Sequence, residues 1–239
     1  MATILHAPPP ALTTNQLLAA LPAEEFDGLR PHLTTAHLGV GDTIYAAGAP
    51  IRHVYFPLTG SASVVAVTAD GDMVEVGTVG REGLVGLAAF LEADGGPLET
   101  LAQVPGDFAR LPAAALRDAA APGSALSRLL LRFAQALYTL AGQSAACNRL
   151  HPIEERCARW LLLTHDRVGR DTFLLTHEYL GYMLGVRRPS VTLALGVLQR
   201  GGFIAYHRGE VTVLDRAGLE AGACECYDII TAEYARLLG

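Results

Sequence analysis

The sequence contains no lysine, so all 18 of its basic residues are arginine. Only four of the 239 residues are cysteine, which is too few for a fold held together by disulfides and favours a reducing cytoplasm. Residues 1–10 lack the basic and apolar segments of a signal peptide. The longest apolar runs, such as 84–91, are far shorter than the roughly 20 residues that span a bilayer. We therefore expect a cytoplasmic protein that makes no use of a membrane.

The net charge of −6 is unevenly distributed along the chain. Residues 1–147 carry 7 arginines and 13 acidic residues, whereas residues 148–214 carry 9 arginines and only 6 acidic residues. The last segment, 215–239, is acidic again. A local excess of positive charge is what phosphate contacts require. On charge alone, an ordinary solvated face is the simpler explanation, and nucleic-acid binding by residues 148–214 is the alternative.

The sequence pattern of the first half of the chain changes near residue 39. Helical spacing over 15–34, with Asn15 as a candidate N-cap, gives way to short β-rich runs separated by turn residues over 39–111. Asp70-Gly71 is a strong hairpin signal between two of these runs. Many short strands at close spacing predict a small antiparallel barrel or double-sheet roll.

A long helix is predicted over 122–150, ending before His151-Pro152. Its apolar residues alternate at spacings of four and three, which is the heptad pattern of a helix that pairs with another helix. The residues of this predicted dimer interface are Leu126, Leu130, Phe133, Leu137 and Leu140. The alternative is a helix packed against its own domain.

Residues 176–202 have the pattern of two short helices around a tight turn. Thr176 can cap the first helix, and Gly185 suits the turn. Arg187 and Arg188 open the second helix, so that two guanidinium groups would enter the major groove first. The hairpin pattern over 203–214 adds a wing. The segment is therefore predicted to be a winged helix-turn-helix that binds DNA.

At this point the chain resembles the Crp/Fnr superfamily of bacterial transcription regulators. The resemblance is carried by residues 41–45 with Gly48, 51–56 with Gly60, 77–86, the helix over 155–161 and the winged module, in this order. It implies an α+β fold with an N-terminal antiparallel β-roll, a long dimerisation helix and a C-terminal winged helix-turn-helix. It also implies a homodimer on a two-fold-symmetric double-stranded DNA site, with RNA polymerase as a further candidate partner, and no catalysis.

The resemblance divides the chain into five segments. They are a flexible arm (1–14), a β-roll sensor domain (15–121), a dimerisation helix (122–150), a winged helix-turn-helix domain (151–214) and a helical tail (215–239). The tail is expected to be helical from Leu219 onward and to pack on the winged module.

The segments that bind cyclic nucleotides in relatives depart from the family pattern here. Relatives have a Gly-Glu pair and a later Arg-Ser/Thr-Ala stretch, in which the carboxylate binds the ribose and the arginine binds the cyclic phosphate. The matching residues 83–88 contain no carboxylate, and 97–102 contain an acid and no arginine. We therefore expect no cyclic-nucleotide binding in the usual mode and an unidentified signal.

The DNA-reading positions match the family unevenly. Arg188 matches the arginine that most often reads a guanine, whereas Pro189 and Leu193 replace family positions that read bases through charge. The residues expected at the DNA are Thr176, His177, Arg187, Arg188, Ser190, Thr192 and His207. The family's usual half-site is therefore not expected for this chain.

Other site chemistry is weakly represented. Cys224 and Cys226, with Cys157 or His151, offer a candidate metal or redox site, but a single C-x-C without a second matched pair is a weak signal. Buried small residues on a terminal helix are the alternative. We therefore expect no resident metal and no cofactor. The competing hypothesis is a ligand-, metal- or redox-sensing protein whose main act is effector binding.

Overall fold

The computed structural model describes residues 10–239. Most of the predicted flexible arm, 1–14, therefore lies outside the described residues, and its end forms a 3-10 turn, Leu12–Thr14. The next segment forms α1 (Gln16–Ala19), α2 (Ala23–Leu29) and a second 3-10 turn, Arg30–His32. The helical spacing over 15–34 is thus divided between short helices, because Pro22 lacks the N–H that would continue α1.

Asn15 caps α1 as predicted and also anchors it to the β-roll. Its side-chain oxygen accepts hydrogen bonds from the backbone N–H groups of Leu17 and Leu18. Its side-chain amide donates to the carbonyls of Pro57 and Gly83, at 3.1 and 2.9 Å. One fully buried polar side chain therefore satisfies both the helix end and two loop carbonyls.

Seven antiparallel strands form a double-sheet roll, which confirms the predicted architecture. They are β1 (Thr34–Leu38), β2 (Thr43–Tyr45), β3 (His53–Pro57), β4 (Ser61–Val67), β5 (Met73–Val79), β6 (Glu99–Val104) and β7 (Gly106–Pro112). One sheet has the order β1-β7-β3 and the other β2-β6-β4-β5. Phe56, Phe108 and Leu111 are fully buried in the core of the roll. The β4–β5 hairpin turns at Gly71 in the left-handed conformation, where the Asp-Gly signal predicts it.

The roll leads through α3 (Ala113–Ala119) into α4 (Ala125–Leu150), which is 26 residues and about 39 Å long. Ser124 caps α4 through the N–H of Ser127. Glu25 of α2 adds a second cap, because its carboxylate accepts from the N–H groups of Ala125 and Leu126. The first turn of α4 is therefore held by its own domain.

The predicted dimer seam of α4 faces the interior of the same chain, which corrects the prediction. Leu126, Leu130 and Phe133 are buried in the core of the β-roll, and Leu137 packs against it. Leu140 is buried in the neighbouring core, which is formed mainly by residues 157–230. The seam is apolar because it covers this chain's own sheets, so the buried Leu126, Leu130, Phe133 and Leu140 are not available to a second copy, whereas Leu137 is partly exposed.

The second domain is a winged helix-turn-helix. Its elements are α5 (Ile153–Val168), β8 (Thr172–Leu174), α6 (His177–Leu184), α7 (Arg188–Arg200), β9 (Ile204–His207) and β10 (Glu210–Val213). The three strands pair in the order β8-β10-β9. Trp160, Leu180 and Leu195 belong to its buried core.

The C-terminal tail forms α8 (Arg216–Ala221) and α9 (Cys226–Leu238). Only α8 lies mainly on the winged domain, where it packs against α5, whereas α9 lies along α4. Tyr234 and Leu238 of α9 even pack against the core of the β-roll. The expectation that the tail packs on the winged module is therefore correct for α8 and incomplete for α9.

Buried polar contacts join the two domains. The Trp160 indole donates to Glu75 of β5 at 3.0 Å, and the Gln103 amide donates to the Thr164 hydroxyl at 2.9 Å. Burial raises the pKa of the Glu75 carboxyl. The helices of residues 10–239 do not include one with the length and hydropathy of a membrane span.

Candidate nucleic-acid interface

The turn between α6 and α7 has the geometry that its glycines predict. Thr176 caps α6 by accepting from the Tyr179 N–H at 3.1 Å. Gly185 ends α6 in the left-handed conformation, with φ of 60°. At Gly181, a Cβ would lie 3.0 Å from the Val186 carbonyl, so the chain needs a small residue there to reverse direction. These local requirements set the angle at which α7 leaves the domain.

The start of α7 is an exposed, positively charged helix end. Arg187 occupies the N-cap position and Arg188 the first turn, with Pro189 tolerated next to it. Both arginines are exposed, and Ser190 beside them is partly exposed. The helix dipole adds to the charge of the two guanidinium groups. This end of α7 is therefore suited to an anionic partner such as a phosphate.

A cleft of about 400 Å³ opens between this helix end and the wing. It is lined by Thr176, His177, Glu178, Arg188, Tyr206, Arg208 and Gly209. The first helix, the second helix and the wing thus contribute to one concave surface. His207 is exposed beside it at the end of β9.

His177 and Thr192 contact each other inside this surface. The His177 Nδ1 lies 2.8 Å from the Thr192 hydroxyl, and that hydroxyl donates to the Arg188 carbonyl at 3.1 Å. The hydroxyl must then accept from Nδ1–H. The His177 ring also lies 4.5 Å from the ring of Tyr206. Burial lowers the pKa of His177, and the charge on Arg188 lowers it further, so the ring is neutral near pH 7.

The structure therefore divides the predicted DNA-binding residues into two groups. Arg187, Arg188 and His207 are exposed, Ser190 is partly exposed, and Thr176 is exposed and caps α6. His177 and Thr192 join α6 to α7 through a mutual hydrogen bond. The sequence analysis missed Arg208 and Tyr206, although Arg208 stands next to His207 in the predicted wing turn.

The middle of α7 presents an apolar outer face. Leu193 is 70% exposed and Val197 is 41% exposed, although both are large apolar side chains. A helix face that reads bases by hydrogen bonds would carry polar side chains here. This face can instead contact thymine methyl groups.

The β-roll touches the helix-turn-helix close to its reading end. A Cβ on Gly185 would lie 3.1 Å from the Val74 side chain. A groove of about 790 Å³ between the two domains is lined by Asp72 and Met73 on one side and by Arg187 and Arg188 on the other. A movement of the β4–β5 hairpin would therefore change the contacts at the start of α7.

The β-roll also contains a small cavity of about 180 Å³, bordered by residues 84–88 and 96–98. These are the segments in which the resemblance places nucleotide-binding residues. Among the described residues, those that line the cavity carry no charge, and Leu137 of α4 closes one side. An unneutralised phosphate would be poorly solvated in such a cavity.

Two family models match the chain in succession. The model for a cyclic nucleotide-binding domain matches residues 36–121, and the model for a Crp-like helix-turn-helix domain matches residues 155–221. No curated protein matches the sequence.

Solved structures share the fold of about four fifths of the chain. FixK2 from Bradyrhizobium japonicum is 19% identical, with a TM-score of 0.69 over 80% of this chain and 98% of that one. TTHB099 from Thermus thermophilus, a transcriptional regulator of the CRP family, is 24% identical, with a TM-score of 0.65 over 79% and 96%. The c-di-GMP responsive global regulator CLP from Xanthomonas campestris is 16% identical, with a TM-score of 0.61 over 80% and 99%. At these identities the likeness shows the fold alone.

Proposed function

From the premise that this chain belongs to the Crp/Fnr superfamily of transcription regulators, we propose that it is a homodimeric, sequence-specific DNA-binding regulator. It acts by binding rather than by catalysis. The observation that carries this proposal is the exposed start of α7, where Arg188 and the wing residue Arg208 line one cleft and Arg187 is exposed next to Arg188. Phosphates and guanine edges are the partners that such paired guanidinium groups suit best.

The dimer is proposed to form through the outer face of α4. The exposed residues of this face repeat at spacings of three and four: Arg128, Leu131, Gln135, Tyr138, Gly142, Ala145 and Arg149. Leu131 is 56% exposed and Tyr138 is 76% exposed, so two apolar side chains lack cover in the single chain. Gly142 and Ala145 allow two helices to approach closely. In two copies joined along this face, the two α7 helices, which are the recognition helices of the proposed dimer, would meet half-sites about 34 Å apart.

The β-roll is proposed to respond to a signal other than a cyclic nucleotide bound in the usual mode. The uncharged lining of the 180 Å³ cavity supports this, because the ribose and phosphate of such a ligand would lack charged partners. CLP, which shares the fold, is described as responsive to c-di-GMP, so the fold is compatible with other effectors. A signal at the β-roll would shift α4 and the β4–β5 hairpin and thereby change the spacing of the two reading helices.

The test is a selection of random duplex DNA by the purified full-length chain, without added ligand, at near-physiological salt. The expected result is enrichment of a two-fold-symmetric site with half-sites one duplex turn apart. Arg188→Ala should weaken binding to that site by about 1–3 kcal/mol, roughly 5- to 150-fold, and relax the preference at one base position.

Arg117→Ala serves as the matched control, because Arg117 is an exposed arginine on α3, far along the chain from the recognition helix. It should leave both the affinity and the selected sequence unchanged. Binding that ignores sequence, or an Arg188→Ala profile identical to that of the wild-type chain, would contradict the proposal.

A further inference from the structure

Four residues far apart in the sequence bring metal-binding atoms together at the C-terminal end of α4. Cys147 lies in the last turn of α4, and His151, four positions later, is the C-cap residue of the helix. Cys224 precedes α9, and Cys226 is its first residue. The three sulfur atoms and one histidine nitrogen all lie within 4.8 Å of one another. All three cysteines are buried and free.

The measured distances match the edges of a tetrahedral zinc site. The Cys147 and Cys224 sulfur atoms are 3.5 Å apart, and the Cys226 sulfur lies 3.6 Å from the His151 Nδ1. Zinc binds sulfur at about 2.3 Å and histidine nitrogen at about 2.0–2.1 Å. A tetrahedron with these bonds has S–S edges of about 3.8 Å and S–N edges of about 3.6 Å. Small movements of the side chains would therefore complete the geometry.

The histidine has the support that a metal ligand normally has. The His151 Nε2 lies 3.2 Å from a carboxylate oxygen of Glu225, while its Nδ1 faces the sulfur of Cys226. A carboxylate on the far nitrogen fixes the tautomer, so that the near nitrogen keeps its lone pair for a metal. Glu225 thus lies between Cys224 and Cys226 in the sequence, and its carboxylate contacts His151.

The surrounding charge also fits an anionic centre. Three thiolates and one neutral histidine on a divalent ion carry one net negative charge. Arg159, which is 4% exposed, acts electrostatically on Cys147, Cys224 and Cys226. Among the described residues it takes part in no salt bridge, and its Nε has no hydrogen-bond partner. The Glu75 carboxylate also interacts electrostatically with Arg159, and the three thiolates would add to the negative charge near this buried guanidinium.

We propose that Cys147, His151, Cys224 and Cys226 form a tetrahedral site that binds one zinc ion per chain. Four protein ligands leave no open position, so the role of the ion is structural and not catalytic. The ion ties the start of α9 to the end of α4, next to Pro152, where the chain turns into the DNA-binding domain. The proposal goes beyond DNA binding, because the recognition face does not include any of the four ligands.

The test measures metal in the full-length chain purified without chelator. We expect inductively coupled plasma mass spectrometry to find one zinc ion per chain. Cobalt in place of zinc should give the intense visible bands of a tetrahedral centre and the near-ultraviolet charge transfer of cobalt–thiolate bonds. Cys224→Ser should abolish these bands and lower the zinc content toward zero.

Cys157→Ser is the matched control. Cys157 is the one cysteine of the chain that is not a proposed ligand. It is fully buried, and burial raises the pKa of its thiol to about 12. Its replacement should leave the zinc content and the cobalt spectrum unchanged. Glu225→Gln should keep the spectrum but weaken zinc binding about 10- to 100-fold, as loss of an outer partner does elsewhere.

A second measurement uses the wild-type chain, so it does not depend on whether a variant folds. Zinc should protect Cys147, Cys224 and Cys226 from alkylation, and a chelator should expose all three together. The proposal is overturned if zinc and chelator leave their reactivity equal, or if Cys224→Ser retains the cobalt bands. It is also overturned if the protein as isolated under reducing conditions contains a Cys147–Cys224 disulfide and no metal.

Discussion

The two faces of α4 have the same heptad spacing but meet different surroundings. The inner face, with Leu126, Leu130 and Phe133, is buried against the chain's own β-roll. The outer face, with Leu131 and Tyr138, is exposed in the single chain. These three inner residues are large and apolar, whereas the outer series contains two arginines and a glutamine besides its apolar and small residues. A heptad series therefore indicates that a helix face packs, and the nature of the neighbouring surface decides whether it packs within the chain or between chains.

Phe133→Ala should give the largest effect, because the ring is fully buried in the inner face. The cavity that it leaves should lower the free energy of unfolding by about 3–5 kcal/mol. Chemical denaturation at a protein concentration that keeps the chain monomeric measures this. Tyr138→Ala removes an aromatic ring from the outer face and should change the value by no more than about 0.5 kcal/mol. Equal losses in the two variants would contradict the division of faces.

Gly83→Ala should have the next largest effect. A Cβ there would lie 2.4 Å from the Phe133 ring and 2.9 Å from Val79, so the inner face would have to move. Overpacking of this kind costs about 1–3 kcal/mol of unfolding free energy. The matched control is Gly142→Ala on the outer face, where the added Cβ meets open space. That variant should gain about 0.5–1 kcal/mol from helix propensity, and destabilisation by both would argue against the assignment.

Tyr138→Glu should act on assembly and not on folding. Two carboxylates would face each other across the proposed two-fold axis, and we expect the dimer dissociation constant to rise at least about tenfold, or 1.4 kcal/mol. Sedimentation measures the constant, and circular dichroism checks the fold. Leu91→Glu introduces the same charge at an exposed apolar position of the β-roll and should leave the dimer intact. An unchanged constant in Tyr138→Glu would move the interface elsewhere.

Glu25→Gln should give the smallest effect, at the first turn of α4. Hydrogen bonds from the N–H groups of Ala125 and Leu126 lower the pKa of the Glu25 carboxyl. A carboxyl whose pKa is lower in the folded state stabilises it above the unfolded pKa, and this contribution is lost as pH falls through the folded value. Stability should therefore depend less on pH in Glu25→Gln between about pH 5 and pH 3. Glu24→Gln, at the neighbouring position, should behave like the wild-type chain.

The helix-turn-helix could be predicted closely because its signals are local. Thr176 caps α6 through an N–H three residues away, and Gly185 supplies the left-handed turn within the same segment. The wing and the Asp70-Gly71 hairpin also depend on a few neighbouring residues. Arg208 was not predicted, because it and Arg188 line the same cleft only in the folded domain.

The partners of the long helix and of the cysteines could not be predicted in the same way. Cys147 continues the heptad register of α4, and this spacing predicts only that its side chain lies on the same face as Leu140. Its neighbours Cys224 and Cys226 lie more than 70 residues later in the chain. Only the return of α9 along α4 brings their sulfur atoms together.

The sequence by itself determined the order of the domains, the helix-turn-helix with its basic start, and the absence of a carboxylate from residues 83–88 and of an arginine from residues 97–102. Each of these depends on residue type and on interactions over a few positions. The tertiary structure alone decided which face of α4 the β-roll covers, which side chains surround the recognition cleft and which cysteines meet. Those outcomes depend on surfaces from distant parts of the chain. The spacing of apolar residues in a helix does not identify the surface that packs against it.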